Sequence, residues 1–328
     1  MQRNKVLLID GHNLFIRCWS VIPTMNEHGD HNGGTLGFLR SLKKLVNENF
    51  PYKVIVCWEG KRSIQRRRKL HEGYKLGRGI PKRVNRAYEL ETEEEQIKSL
   101  RTQLFRIKEY LESFPVYQLG VEYTEADDVI AYIARTQYKG HQKVIISNDK
   151  DFLQLIDEDI SVYRPAIKKE VKVEDLLKKE NIHPANYLNF KVLTGDKSDN
   201  IAGIKGIGAK TILQLFPVLA EERNYSLEEL YSICQSQIDD GHKFSKKYQK
   251  IIENRDTLEL NYELMKLTET NISLKAITAI EDQLKIQQPK LQPFNLRVMF
   301  TKDGARDQVE NFDWWTRAFM PLNHGNNE

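Results

Sequence analysis

Three short acidic clusters carry most of the chemistry open to this sequence: Glu125-Ala126-Asp127-Asp128, Asp149-Lys150-Asp151 and Asp196-Lys197-Ser198-Asp199. Two further acids, Asp10 and Glu59, directly follow apolar runs. Carboxylates gathered in this way repel one another unless positive charge sits among them. A pair of hard divalent cations, held by oxygen ligands, is the economical counter-charge. Two such ions also suit hydrolysis of a phosphodiester, because they stabilise both the attacking and the leaving oxygen. No Ser/His/Asp or Cys/His arrangement competes as a nucleophilic site, and His12, although close to Asp10, is read as structural. Cys18, Cys57 and Cys234 are far apart with no CxxC spacing, so they are expected to be reduced and structural, forming neither a zinc site nor a disulfide framework.

The acids need elements to position them. Residues 5–9 (KVLLI), 53–58 (KVIVCW) and 143–147 (KVIIS) are apolar runs rich in β-branched residues and predict strands. They lead into Asp10-Gly11, Glu59-Gly60 and Asn148-Asp149. Helical periodicity over 35–48, 95–112 and 125–138 alternates with them. That order predicts an α/β fold with a mostly parallel, helix-flanked sheet. Ligands of such sheets gather beyond the carboxyl ends of the strands, which is where Asp10, Glu59 and Asp149 fall. Glu125 and Asp128 share a face at the start of a helix, with Asp127 beside them. A single acid there would only complement the helix dipole, whereas three within four residues favour a site.

The positive charge is segregated. The formal net charge is +4, but setting aside the nine acids named above leaves 50 Lys and Arg against 37 acids. A basic body around an acidic pocket suits a polyanion. Residues 60–90 concentrate Lys61, Arg62, Arg66, Arg67, Arg68, Lys69, Lys75, Arg78, Lys82, Arg83 and Arg86, with Tyr74 and Tyr88 interleaved. This stretch is either a solvated charged loop or, beside a metal site, a lid over nucleic acid. Tyr74 is read either as stacking on a base or as a packed tyrosine. From Pro184 a helix is expected to end at Gly195, followed by the glycine hairpin Gly203-Ile-Lys205-Gly206-Ile-Gly208 and a second helix with Ile212, Leu213, Leu215 and Phe216 on one side. Backbone amides at that hairpin, with Lys210 and Thr211 alongside, suit a phosphate. Residues 241–256 add Lys243, Lys246 and Lys247 on a further helical stretch.

At 328 residues the chain allows one large α/β unit with a smaller second unit. No segment reaches the ~18 apolar residues that span a membrane, and the N-terminus does not read as a signal peptide. A cytoplasmic monomer is the expectation. The C-terminal FDWWTRAFMPL is expected to pack back onto the body rather than serve as a partner-binding peptide, with the last five residues frayed.

VLLIDGHN (6–13), EGYKLGR (72–78), TEADDVIA (124–131), SNDKDFLQL (147–155) and TGDKSDNIAGIKGIGAKTILQLF (194–216) together resemble the 5′ nuclease, or flap endonuclease, family. That family includes the 5′-exonuclease domain of bacterial DNA polymerase I and the stand-alone phage 5′–3′ exonucleases, some of them called phage ribonuclease H. NRDTLELNYELMKL (254–267) is similar to the family segment that follows the hairpin, so the resemblance spans residues 5–275. It implies a PIN-like 5′ nuclease fold over 1–180, a helical arch at about 60–95, a helix–hairpin–helix DNA-binding region over 181–275 and a C-terminal extension over 276–328. The implied metal ligands, for two Mg²⁺ ions with Mn²⁺ as a substitute, are Asp10, Glu59, Glu125, Asp127, Asp128, Asp149, Asp151, Asp196 and Asp199. Glu59 departs from the pattern, which has Asp after the second strand.

The resemblance also makes Lys75 the active-site lysine and Arg67 its arginine partner, with Arg68 the alternative in that run, while Asp10 and Asp149 would act at the reaction centre. DNA contacts are implied for Arg66, Arg68, Lys69, Tyr74, Arg78, Lys82, Arg83, Lys205, Gly206, Gly208, Lys210, Thr211, Lys243, Lys246 and Lys247, and a K⁺ site for the carbonyls of Gly203, Gly206 and Gly208. The implied substrate is DNA as a 5′ flap, a nicked or gapped duplex, or an RNA–DNA hybrid in primer removal. A sliding clamp or a single-strand DNA-binding protein would be the replisome partner, and a phage-encoded chain would act in the host cytoplasm. Two other readings stand beside this one: a non-catalytic binder of DNA junctions, and a single-strand ribonuclease of related fold.

Overall fold

The computed structural model describes residues 4–79, 81, 92–267 and 272–324. Lys82 and Arg83, with the rest of 82–91 in the segment expected to form an arch, lie outside them. A six-stranded sheet runs β1 (Lys5–Asp10), β2 (Lys53–Cys57), β3 (Tyr117–Leu119), β4 (Gln142–Ile146), β5 (Ile160–Arg164) and β6 (Lys169–Val171), in the spatial order β3-β2-β1-β4-β5-β6. The pairings β1–β2, β1–β4, β2–β3 and β4–β5 are parallel, and β6 closes the edge antiparallel to β5. The chain leaves β1 for neighbours on both sides, so β1 lies at the topological switch point where open α/β sheets bind ligands.

Alternation along the strands divides the core. Val6 and Leu8 of β1, with Ile55, Cys57 and Ile145, face α5 (Ala126–Thr136) and α12 (Leu274–Lys285). Leu7, Ile9, Val54, Val56, Val144 and Ile146 face α1 (Gly11–Val21), α2 (Gly33–Asn49) and α4 (Glu93–Leu111). Both faces of a parallel sheet must be covered, so its strands read as continuous apolar runs. A third core gathers α7 (Tyr187–Thr194), α8 (Ala209–Leu215), α9 (Leu227–Asp239), α10 (Ser245–Glu253) and α11 (Arg255–Met265). A short helix, α3 (Gln65–Leu70), touches α11, and α6 (Val173–Glu180) leads from the sheet towards this unit.

The stretch expected as one helix over 241–256 divides at Asn254 into α10 and α11. In the hairpin before α8, a Cβ on Gly203 would stand 2.2 Å from the Thr194 carbonyl oxygen, so only glycine permits the two backbones to meet. After the third core, α12, α13 (Pro293–Lys302) and α14 (Phe312–Arg317) return to the sheet unit. Trp315 packs edge to face on both Phe114 and Phe300, and Phe319 packs edge to face on Phe114. Asp303 accepts from Arg106 at 2.8 and 3.0 Å and from the Tyr110 hydroxyl at 2.9 Å, which fixes α13 to α4. No described helix is long and apolar enough to cross a membrane.

Because Phe319 is fully buried against Phe114, Phe319→Ala is expected to cost about 3–5 kcal/mol of stability in urea unfolding. A loss below about 1 kcal/mol would mean that the C-terminal helices are not part of the sheet unit's core.

Candidate active site

Strand register sets the first three acids. Asp10 ends β1 opposite Cys57, Glu59 follows Cys57 by two residues, and Asp149 follows Ile146, the β4 partner of Ile9, by three. Asp10 also caps α1: one carboxylate oxygen accepts from the Asn13 amide at 3.0 Å and the other from the Ser147 hydroxyl at 2.9 Å. Asn13 reaches across to the loop after β4, accepting from the backbone and side-chain amides of Asn148 at 3.0 Å. The next peptide is held too, since the Asp149 amide donates to Ser147 and the Asp149 carboxylate accepts from the Asp151 amide.

Glu59 is placed by its backbone. Its amide donates to His12 Nδ1 at 3.3 Å, and its carboxylate accepts from the Ala126 amide at 3.4 Å at the start of α5. Burial first, then Lys108, lowers the His12 pKa to about 4, so the ring stays neutral and can accept this bond. Gly60 is required here: a Cβ would lie 1.7 Å from the Val121 carbonyl oxygen, so the loops carrying Glu59 and Glu125 run in backbone contact.

The nine acids do not form one set. Asp10, Glu59, Asp127 and Asp149 are electrostatic neighbours. Burial, then Asp149 and Glu59, raises the Asp10 pKa to about 7 despite its two hydrogen bonds. Burial and Glu125 raise Glu59, and burial, Asp149, Asp10 and Glu59 hold Asp127 well above the usual carboxylate range. Lys75 opposes the shifts of Glu59 and Asp127. Burial disfavours the Lys75 charge, but Asp127 and Glu125 outweigh it and raise its pKa.

Glu125 and Asp128 are held differently. The buried Arg67 guanidinium donates to the two Asp128 oxygens at 2.7 and 2.8 Å, donates also to Glu125, and gives its Nε–H to the Leu264 carbonyl at 2.7 Å. Lys75 donates to the other Glu125 oxygen. Burial alone would raise the Glu125 pKa, and the two cations beside it lower it instead. Of the two arginines left open by the sequence, Arg67 is therefore the one on the acids; Arg68 donates to the Tyr74 carbonyl.

A third group lies towards the hairpin. Lys191 on α7 pairs with Asp151 at 2.7 Å and with Asp196. Asp196 also accepts from the Ser198 amide at 2.7 Å, and Arg78 pairs with Asp199. Asp151 is nonetheless raised to about 7, by burial and then Asp149, with Lys191 opposing. Among the described residues no three His, Cys, Asp or Glu side chains stand in ready metal-holding geometry. The donor set of Asp10, Glu59, Asp127 and Asp149 nevertheless fits a hard cation, since these are buried or half-buried oxygen donors with more like charge than Lys75 offsets.

Tyr74 corrects one expectation. It is 3% exposed, within the third core, with its hydroxyl 3.3 Å from Glu125, so it supports that acid and is not available to a base. Lys69, Lys205, Gly206, Gly208, Lys210, Lys243 and Lys246 are exposed, whereas Arg66, Thr211 and Lys247 are half-buried. Lys243 and Lys247 lie against the Phe244 ring, and Lys250 donates to the Lys205 carbonyl. Four residues that shape the site were not picked out from the sequence as part of it: Asn13, Ser147, Lys191 and Lys250. Lys191 had a signal, as a lone cation within the apolar helix YLNFKVLT.

The sequence matches the model of the 5′-3′ exonuclease N-terminal resolvase-like domain over residues 5–184, and that of the 5′-3′ exonuclease C-terminal SAM fold over 182–292. The chain belongs to the 5′–3′ exonuclease family. It is 29% identical to the 5′-3′ exonuclease of Aquifex aeolicus over 87% of each chain. It is 27% identical to the flap endonuclease Xni of Shewanella loihica over 80% of this chain and 95% of that one. Among solved structures, the T5 5′-exonuclease with bound divalent zinc aligns with a TM-score of 0.64 at 21% identity, covering 86% of this chain and 99% of that one. The family's N-terminal model thus covers the open carboxylates, and its C-terminal model covers the hairpin.

The pKa values set a pH dependence. Asp10 binds a proton up to about pH 7 in the folded protein but only to about 3.8 in the unfolded chain. Folding therefore favours the protonated form, and the metal-free protein is expected to lose stability as pH rises through that window. Mg²⁺ should raise the melting temperature more at pH 8 than at pH 5. Equal shifts at the two pH values would contradict cation binding at these acids.

Proposed function

We propose that the protein is a divalent-metal-dependent 5′–3′ exonuclease and flap endonuclease that hydrolyses phosphodiester bonds near the 5′ ends of DNA. The observation that carries this is the open set of Asp10, Glu59, Asp127 and Asp149 at the carboxyl edge of the sheet, faced by Lys75. Family membership supports the activity, and the surplus of exposed lysines around the hairpin supports a polyanionic substrate.

Mg²⁺ would be held by Asp10, Glu59, Asp127 and Asp149, with Asp151 and the Asp196–Asp199 pair on the hairpin side. Bound there, the metal would supply a hydroxide near neutral pH and neutralise charge on the phosphate. The chain does the rest. Asn13 and Ser147 fix the direction of the Asp10 carboxylate, and His12 fixes the backbone of Glu59. Lys75 can leave Glu125, which keeps Arg67 and Tyr74, and place its ammonium on the scissile phosphate. Arg67 is a positioning residue, since its Nε and both terminal nitrogens are committed to protein acceptors.

The hairpin from Gly203 to Gly208, with Lys205, Lys210 and Lys250, would grip the duplex. K⁺ would be held by the carbonyls of Gly203, Gly206 and Gly208 and would supply positive charge for a phosphate, and Lys250, on the Lys205 carbonyl, adds an ammonium to the same hairpin. Removal of RNA primers, with a sliding clamp or single-strand DNA-binding protein as partner, is the replication role this activity suits.

A labelled 5′-flap duplex tests the reading. Cleavage should require Mg²⁺ or Mn²⁺ and stop with EDTA. Lys75→Ala should lower turnover about 10²–10³-fold while duplex affinity changes by no more than about threefold. The double variant Asp149→Asn, Asp151→Asn should be inactive; unchanged cleavage by it would overturn the site assignment. Binding without cleavage under any divalent ion would favour a junction-binding module.

A further inference from the structure

Two exposed side chains on the loops that carry Glu59 and Glu125 have no part in the site described so far. Tyr123 lies two residues before Glu125, and Arg62 lies three residues after Glu59. Chain length alone keeps them close to the site, because two residues span at most about 7 Å and three about 11 Å. Both have left-handed backbones, Tyr123 at φ 60° and Arg62 at φ 57°. That conformation disfavours large side chains and clusters at functional sites.

Both conformations are enforced. The Tyr123 amide donates to the Lys61 carbonyl at 2.8 Å, which ties the two loops backbone to backbone, and the Ser63 amide closes a turn around Arg62 on the Gly60 carbonyl at 3.3 Å. What this arrangement presents is a tyrosine ring that is 49% exposed. Arg62 donates to the Tyr123 hydroxyl at 2.7 Å, and its guanidinium carbon lies 5.8 Å from the ring centroid. The ring is thus held from its hydroxyl end, with further Arg62 donors left over.

We propose that Tyr123 and Arg62 form a stacking platform for an unpaired nucleobase next to the scissile phosphate. Tyr123 takes the base on its open face, and Arg62 fixes the ring and offers its remaining N–H groups to the adjacent phosphate. Base–aromatic stacking tolerates any sequence, as a structure-directed nuclease requires. The platform holds one nucleotide in register with the acids and so sets which bond is cut. Tyr74, buried under Glu125, cannot supply this contact. The inference rests on the nuclease reading above.

The test uses the full chain and a 5′-flap duplex carrying 2-aminopurine at either nucleotide flanking the cut, with Ca²⁺ in place of Mg²⁺ so that binding is read without cleavage. The wild-type protein and Tyr123→Phe should change the probe fluorescence on binding. Tyr123→Ala should lose about half or more of that change and weaken flap binding about tenfold, with an unaltered melting temperature and unaltered affinity for blunt duplex. In Mg²⁺, Tyr123→Ala should spread cleavage over neighbouring bonds, and Arg62→Ala should do so in part. No fluorescence change with the wild type at either position, or an unchanged signal and cut site in Tyr123→Ala, overturns the platform. Failure of the wild type to cleave in Mg²⁺ overturns the nuclease reading instead, and the fluorescence arm still decides on the platform.

Discussion

The Arg67 guanidinium organises the site. It is 3% exposed and meets two carboxylates, Glu125 and Asp128, as well as the Leu264 carbonyl. Those partners belong to α5, which packs under the sheet, and to α11, in the hairpin-bearing unit. One side chain therefore joins the base of the basic insertion, the acid-rich helix and the second unit. A buried charge of this kind is stable only when it is fully paired, so the three elements must come together for any of them to be well placed. The pairing also divides the acids: with Glu125 and Asp128 taken, the uncompensated negative charge is left on Asp10, Glu59, Asp127 and Asp149.

That division explains why Asp10, Glu59 and Asp127 have raised pKa values while Glu125 is lowered, although their charges act on one another. Lys75 connects the two sets. It touches Glu125 and is held in its charged form by Asp127 as well, so it lies between the paired and the open acids. Glu59, longer by one methylene than the Asp expected after the second strand, has its backbone on His12 and its carboxylate directed at the start of α5. The added reach is used within the pocket, beside Asp127.

Much of this was legible in the sequence. The runs KVLLI, KVIVC and KVII became β1, β2 and β4, because strands buried on both faces are continuously apolar. The helical stretch at 35–48 became Gly33–Asn49, that at 95–112 became Glu93–Leu111, and that at 125–138 became Ala126–Thr136. The acids at the strand ends followed from the parallel order. The partition of the acids could not be read. Arg67 lies 58 residues from Glu125 and 61 from Asp128, and no local spacing says which cation of an arginine run turns inward. The same limit applied to Tyr74, whose aromatic ring beside basic residues suited a base equally well until its burial was known. Lys191 was hidden for a similar reason: its partners Asp151 and Asp196 lie on different loops and meet only because α7 packs beside them.

The most direct test of this partition is anomalous scattering from crystals of the protein soaked in Mn²⁺. Peaks are expected among Asp10, Glu59, Asp127 and Asp149, with Arg67 still paired to both Asp128 oxygens. A peak coordinated by Asp128, with Arg67 displaced from it, would contradict the division of the acids on which the whole account of the site depends.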